Sequence, residues 1–294
     1  MSANAVQHTE GASLKRPPTA RRRRSANGPV VNYVILIVGA IVMLTPFIWM
    51  LSTSFKPQAE TVTFPPQLLP RHPTLSHYQE VFDRLNIGRL YLNTAYVATV
   101  KTALNVYLST LIGYVFGKFE FRGRNVLFYL ILATWIIPFE VYMIPLYIMM
   151  VDFHLGNTYW ALILPELSSA YAVFLFRQFM FTIPNDLLDA ARIDGAGEWH
   201  IFHRIVLPLA RPVVATLIAF YFMWNWNDFL WPLIVLTTSN KYVLSVGLAV
   251  FVSEFGTQYG LIMAGASLAI IPVLAVFVAM QRHIIQGIAL TGFK

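Results

Sequence analysis

The chain has no cysteine among its 294 residues, which excludes disulfide bridges, thiolate nucleophiles and cysteine-ligated metals. Charge is nearly as scarce: Asp, Glu, Lys and Arg make up 12% of the chain, against roughly 25% in a soluble domain. His154, His200, His203 and His283 lack the spacing of a metal site. The net charge is +7, but the basic residues sit at the ends of apolar runs and in the N-terminal tail. No single basic stripe is present, so the pattern fits a membrane surface and not nucleic acid.

What is abundant is apolar surface. Hydrophobic residues are 57% of the chain, more than a soluble domain of this length can bury, so lipid is the expected solvent. A helix crossing a bilayer needs roughly 20 mostly apolar residues. Runs of that kind are Val30 to Leu51, Leu90 to Gly117, Asn125 to Val151, Tyr159 to Met180, Val213 to Leu236 and Tyr259 to Met280. The first is too long for a secretory signal, whose apolar region is roughly 7–15 residues, and reads as a retained span. The polar segment 1–28, with Arg21-Arg22-Arg23-Arg24, has too little apolar content to offset chain entropy, so no fold is expected of it. Between the first two spans, Ser52 to Arg89 carries Pro65, Pro66, Pro70 and Pro73 and reads as an external loop.

Short loops rich in Lys and Arg mark the cytoplasmic side. The basic N-terminal tail, then Lys118, Arg122 and Arg124, then Arg177, Arg192, Arg204 and Arg211, and finally Arg282 and Lys294 fall on one side. The expected fold is therefore all-α and polytopic, with six transmembrane helices and both termini cytoplasmic.

One polar, glycine-punctuated segment, 182–212, lies in a cytoplasmic loop before the fifth span. Asn185 and Asp186 are candidate N-caps, and a short helix from about Leu187 to Asp194 would place Leu187, Ala190, Ala191 and Asp194 on one face. Gly195 suits the left-handed residue that closes such a helix. A second short helix, about Glu198 to Val206, would put Trp199, Phe202 and Val206 on one side, with His200 and His203 solvated and Pro208 as its limit. By themselves these residues also suit an ordinary interhelical turn. The whole array, Asp189-Ala190-Ala191, Asp194-Gly195-Ala196, Phe202 and Leu207-Pro208-Leu209, resembles the cytoplasmic "EAA" loop of ABC importer permeases, with Asp189 where that family usually has Glu. The resemblance implies that Asp189, Ala190, Ala191, Asp194, Gly195, Ala196, Phe202 and Pro208 dock on a separate ATPase.

A phosphate loop of the form G-x-x-x-x-G-K-[ST] is absent from the sequence. Its nearest approach, Gly113 to Gly117-Lys118-Phe119, is one residue short and lacks the hydroxyl, so ATP and magnesium are assigned to the partner and no cofactor to this chain.

The fifth span carries Trp224-Asn225-Trp226-Asn227-Asp228-Phe229 and then Pro232. Polar groups within a membrane face a cavity or a partner. Trp224, Asn225, Asn227 and Asp228 are candidates for the wall of a transport path, where rings and amides suit a sugar. An aromatic belt with the two amides as helix-packing groups fits equally. Similarity to the maltose-type second permease of the carbohydrate-uptake branch favours the first. Glu140, between Pro138 and Pro145, either faces the path or reaches water. Lys101 is an intramembrane cation with no evident partner acid or role.

The resemblance thus implies a permease domain over 29–281 in a bacterial-type cell membrane, a basic tail at 1–28 and a cytoplasmic tail at 282–294 that either frays or reaches the ATPase. It also implies partners: a second homologous permease, two ATPase subunits, an extracytoplasmic solute-binding protein, a sugar and membrane lipid. Alternatives are an ABC permease for a non-sugar solute, a secondary transporter coupling ions through Asp228, Glu140 and Lys101, or a membrane-embedded enzyme using Glu80 and Asp83.

Overall fold

The computed structural model describes residues 28–256 and 258–292; the tail expected over 1–28 lies outside the described residues up to position 27, as do residues 293 and 294. All regular structure among the described residues is helical. In chain order the helices are α1 (Gly28–Ser54), α2 (Gln58–Thr61), α3 (Ser76–Arg84), α4 (Ile87–Lys118), α5 (Arg124–Ile136), α6 (Phe139–Asp152) and α7 (Trp160–Ile163). They continue as α8 (Ala170–Met180), α9 (Asn185–Ile193), α10 (Glu198–Ile201), α11 (Leu207–Leu209), α12 (Arg211–Trp226), α13 (Leu230–Val235), α14 (Leu244–Phe255) and α15 (Tyr259–Gly292). The chain divides into two compact units, 1–47 and 48–294. The first contributes the initial part of α1, whose apolar side chains from Val31 to Leu44 are exposed.

Uninterrupted spans are fewer than the sequence suggests. Val31–Ser54 and Tyr259–Ala279 are single helices long and apolar enough to cross a membrane, and two further candidates are helix pairs bent by 98° and 80°. The expected third span, Asn125 to Val151, is the 98° pair α5 and α6. Pro138 forces Ile137 out of the helical region (φ −78°, ψ 116°), because the proline ring crowds the preceding residue.

The expected fourth span, Tyr159 to Met180, is likewise broken. After α7 come a 3₁₀ turn, Leu164–Glu166, containing Pro165, and an extended Ser169 (φ −122°, ψ 132°) that starts α8. The fifth, Val213 to Leu236, stops at Trp226 and resumes as α13 at Leu230. In a continuous helix the Pro232 ring would strike the carbonyl of Asp228. Instead that carbonyl is free to accept from Ser245 Oγ at 2.6 Å. Outside the expected spans lies α14, whose 12 residues fall short of a full crossing.

The central element is α4, 32 residues and about 48 Å at 1.5 Å per residue. It packs along α8 and also meets α12 and α14. Ser109, Gly113 and Gly117 recur every four residues on the α8 side, the small-residue pattern that lets two backbones approach within a membrane. A Cβ on Gly113 would lie 2.9 Å from Phe176 Cβ, and one on Gly117 would lie 2.5 Å from Met180 Cβ. The glycines that fell short of a phosphate loop therefore serve helix packing. Around this contact Tyr114, Phe176, Met180, Leu188, Phe202 and Leu217 form one buried apolar cluster. Val81, Leu90, Trp226, Leu244 and Leu261 form a second.

The segment after α1 is ordered. Lys56, buried, donates to Gln67 O at 2.6 Å and lies over the Trp49 ring at 4.4 Å. The Lys56 carbonyl bonds His77 Nε2 at 2.9 Å.

Gly117→Ala is expected to destabilise the protein by about 1–3 kcal/mol through overpacking against Met180. Thermal melting in detergent checks this, with Gly39→Ala as a neutral control because nothing lies within 4 Å of its built Cβ.

Candidate functional site

Two sites stand out, one between α8 and α12 and one where broken helices meet α4. The first is the segment 182–212. Pro184, extended at ψ 139°, starts α9 directly, and neither Asn185 nor Asp186 caps it. The side chain of Asn185 turns to α4 instead: Lys118 Nζ donates to Asn185 Oδ1 at 2.7 Å and to Ile183 O at 2.5 Å. Gly195 closes α9 at φ +84°. Its N–H bonds Arg192 O and the Ala196 N–H bonds Ala191 O, both at 3.0 Å, the paired pattern in which a left-handed glycine satisfies the last carbonyls.

The second helix runs further than expected. α10 passes through a π turn, Phe202–Val206, into α11, so Pro208 lies inside the helical stretch and not at its limit. The wider turn accommodates the missing proline N–H, and Ala210 (φ −84°, ψ 6°), ahead of Pro212, ends the stretch.

The expected faces are partly redistributed. Leu187, Ala190 and Asp194 are exposed, Ala191 is half-buried and Leu188 points into the core. Phe202 and Val206 are buried, but Trp199 is 63% exposed and stacks on His203 with centroids 5.7 Å apart. One helical turn separates Trp199 from His203, and both keep to the solvated side with His200. Ile193, 86% exposed, adds an apolar side chain that the sequence reading did not single out. A charged chain braces this knob. Arg192 donates from Nη1 to Asp189 Oδ1 at 2.6 Å and from Nε to Glu198 Oε1 at 2.8 Å, and Tyr114 OH donates to Glu198 Oε2 at 2.7 Å. The bond to Glu198 raises the Arg192 pKa above its ordinary value, so the guanidinium stays charged.

The second site centres on Lys101, whose side chain is 2% exposed. Its Nζ lies 3.1 Å from Glu166 Oε2 and 3.2 Å from Asp228 Oδ2. Each acid comes from a helix break: Glu166 ends the 3₁₀ turn after α7, and Asp228 lies between α12 and α13. Neighbouring amides knit the same seam. Asn225 Nδ2 donates to Thr102 Oγ1 at 3.0 Å and Asn105 Nδ2 to Glu166 O at 2.8 Å. The Oδ1 atoms of Asn105 and Asn225 are buried with no hydrogen-bond donor among the described residues.

The structure thus divides the fifth-span motif. Asp228 pairs with Lys101 and Asn225 turns to Thr102 beside it in the chain, whereas Trp224 is 72% exposed and Asn227, also exposed, turns its Nδ2 back to Met223 O at 2.7 Å. Consecutive helical residues are about 100° apart, so alternate positions do not share a face. Glu140 is exposed in the first turn of α6 and forms none of the cluster's ion pairs. Glu166 was the partner acid missing from the sequence reading. A carboxylate beside Pro165, inside an expected span, was the signal that would have found it.

Residues 109–290, more than half of the chain, match the family described as binding-protein-dependent transport system inner membrane component. The chain is 34% identical over 277 residues to the arabinooligosaccharides transport system permease protein AraQ of Halalkalibacterium halodurans, covering 90% of this chain and 98% of that one. It is 36% identical over 273 residues to the lactose transport system permease protein LacG of Rhizobium radiobacter, covering 92% and 97%. Among solved structures, a bacterial ABC transporter involved in the import of the acidic polysaccharide alginate contains a similar chain at TM-score 0.77 and 25% identity, with 91% of this chain and 99% of that chain covered. The chain therefore belongs to the binding-protein-dependent transport system inner membrane components, the permease subunits of ABC importers, which are transport components and not enzymes.

Proposed function

We propose that this permease carries a sugar or related polyol as one half of a translocation path, driven by ATP and magnesium bound to two separate ATPase subunits. A second homologous permease completes the path, and an extracytoplasmic solute-binding protein delivers the cargo. The chain crosses the membrane six times, with bent and broken helices counted as single crossings and both termini cytoplasmic. The proposed domains are a basic tail at 1–28, the permease body at 29–281 and a cytoplasmic C-terminal segment at 282–294.

The observation that carries this reading is the knob at 182–212. It is closed by Gly195, tied to α4 by side chains and open on the face of Leu187, Ala190, Ile193 and Asp194. Ala190 leaves room there for a close approach by a partner, Leu187 and Ile193 offer it apolar contact, and Asp189, Ala191, Ala196, Phe202 and Pro208 shape or support the docking surface. Closure of the ATPase pair moves the knob, and the spans change between outward-facing and inward-facing packings. The names of the relatives support a saccharide cargo.

Reconstitution tests the reading. The importer reading requires co-purification with an ATPase and substrate-stimulated ATP hydrolysis in liposomes; transport driven by an ion gradient with no ATPase present overturns it.

Two variants bear on the sites separately. Gly195→Val places a β-branched side chain at φ +84°, a strain of about 1–3 kcal/mol. ATPase co-purification or transport should fall while membrane insertion, read by fractionation, persists. Lys101→Met leaves Asp228, 19% exposed, and Glu166, 36% exposed, without their cation. A loss of about 3–5 kcal/mol is expected for a broken buried pair, less the share that Glu166 recovers from solvent. Adding Asp228→Asn should recover part of the lost melting temperature.

A further inference from the structure

We propose that Glu198 is the positioning residue that locks the two halves of the docking knob to each other and to α4, so that knob and helix move as one body. The inference rests on the importer reading above and goes to its mechanics. α9 and α10 are joined by Gly195-Ala196-Gly197, and a linker with two glycines in three residues is a poor transmitter of force. Arg192 stands before this linker and Glu198 directly after it, and their 2.8 Å bond bridges it.

The second carboxylate oxygen of Glu198 is taken by Tyr114 OH, on α4, at 2.7 Å. Tyr114 is buried, with its ring 5.5 Å from Phe202 and edge-on to Phe119 at 5.4 Å. That ring cannot follow a drifting carboxylate without repacking the core around it. Lys118, one helical turn beyond Tyr114 and so on the same side of α4, holds the start of α9 through Ile183 O and Asn185 Oδ1. α9 is therefore held at its start by Lys118, and at its end by Arg192 acting through Glu198 and Tyr114. Asp189, paired with Arg192 at 2.6 Å yet still exposed, links the expected docking face to this chain.

The test uses the assembled transporter in proteoliposomes, with solute imported and ATP hydrolysed measured together. Glu198→Gln removes the charge with little change of shape, and Tyr114→Phe removes one hydroxyl while keeping the packed ring. In each, the complex should assemble in normal yield and hydrolyse ATP while solute moved per ATP falls several-fold. The double variant should lose less than the sum of the two single losses, because the Tyr114 bond is one of the two that Glu198 makes. An unchanged transport-to-ATP ratio in both single variants overturns the proposal. Loss of the ATPase from either variant also overturns it, since Glu198 would then hold the dock and not its position. A wild-type chain that binds no ATPase would sink the importer reading itself, an outcome separate from the other two.

Discussion

A hydrocarbon solvent offers no hydrogen bonds, and every break in a spanning helix frees backbone groups that something in the protein must satisfy. The polar seam of α4 supplies much of that need. Ser109 Oγ accepts from Ser169 N–H at 2.9 Å, at the start of α8. Asn105 reaches the Glu166 carbonyl at the end of the 3₁₀ turn. Thr94 Oγ1 accepts the Leu244 N–H at 2.8 Å, the first free donor of α14. Thr94, Lys101, Asn105 and Ser109 are spaced seven, four and four residues apart, which keeps them close to one face of the helix. The price in apolarity is that α4, the longest continuous helix between α1 and α15, is the least lipid-like of the long ones.

The ion cluster follows from the same constraint. One ammonium and two carboxylates are costly at membrane depth unless they pair. Here Lys101 pairs with acids delivered by two different helix breaks. Breaks of this kind let a chain place carbonyls and carboxylates beside a path while remaining helical elsewhere. The Asp228 break carries both outputs of that economy: its carboxylate meets Lys101, and its carbonyl accepts from Ser245.

α4 also reaches the knob at 182–212. Its polar seam holds the broken helices, its small residues at Gly113 and Gly117 seat α8, and its last turn grips α9 and α10 through Lys118 and Tyr114. One rigid element thus connects the knob with the region of Asn225 and Asp228.

The sequence by itself determined the helical class, the lipid-facing character and the left-handed conformation of Gly195. These depend on composition, on runs of one kind of residue, or on conformational limits that act within a few positions. Tertiary structure alone decided which polar residues meet. Lys101 had no partner until the breaks at Pro165 and Pro232 brought Glu166 and Asp228 to it from 65 and 127 positions away. Trp224 and Asn225 parted company because neighbouring helical residues face different directions, and Glu198 gained its meaning only from a tyrosine 84 positions earlier. Local rules place a residue on an element and fix its backbone. Which groups share a charge or a hydrogen bond depends on where the breaks lie and how the pieces pack, and that is a property of the whole fold.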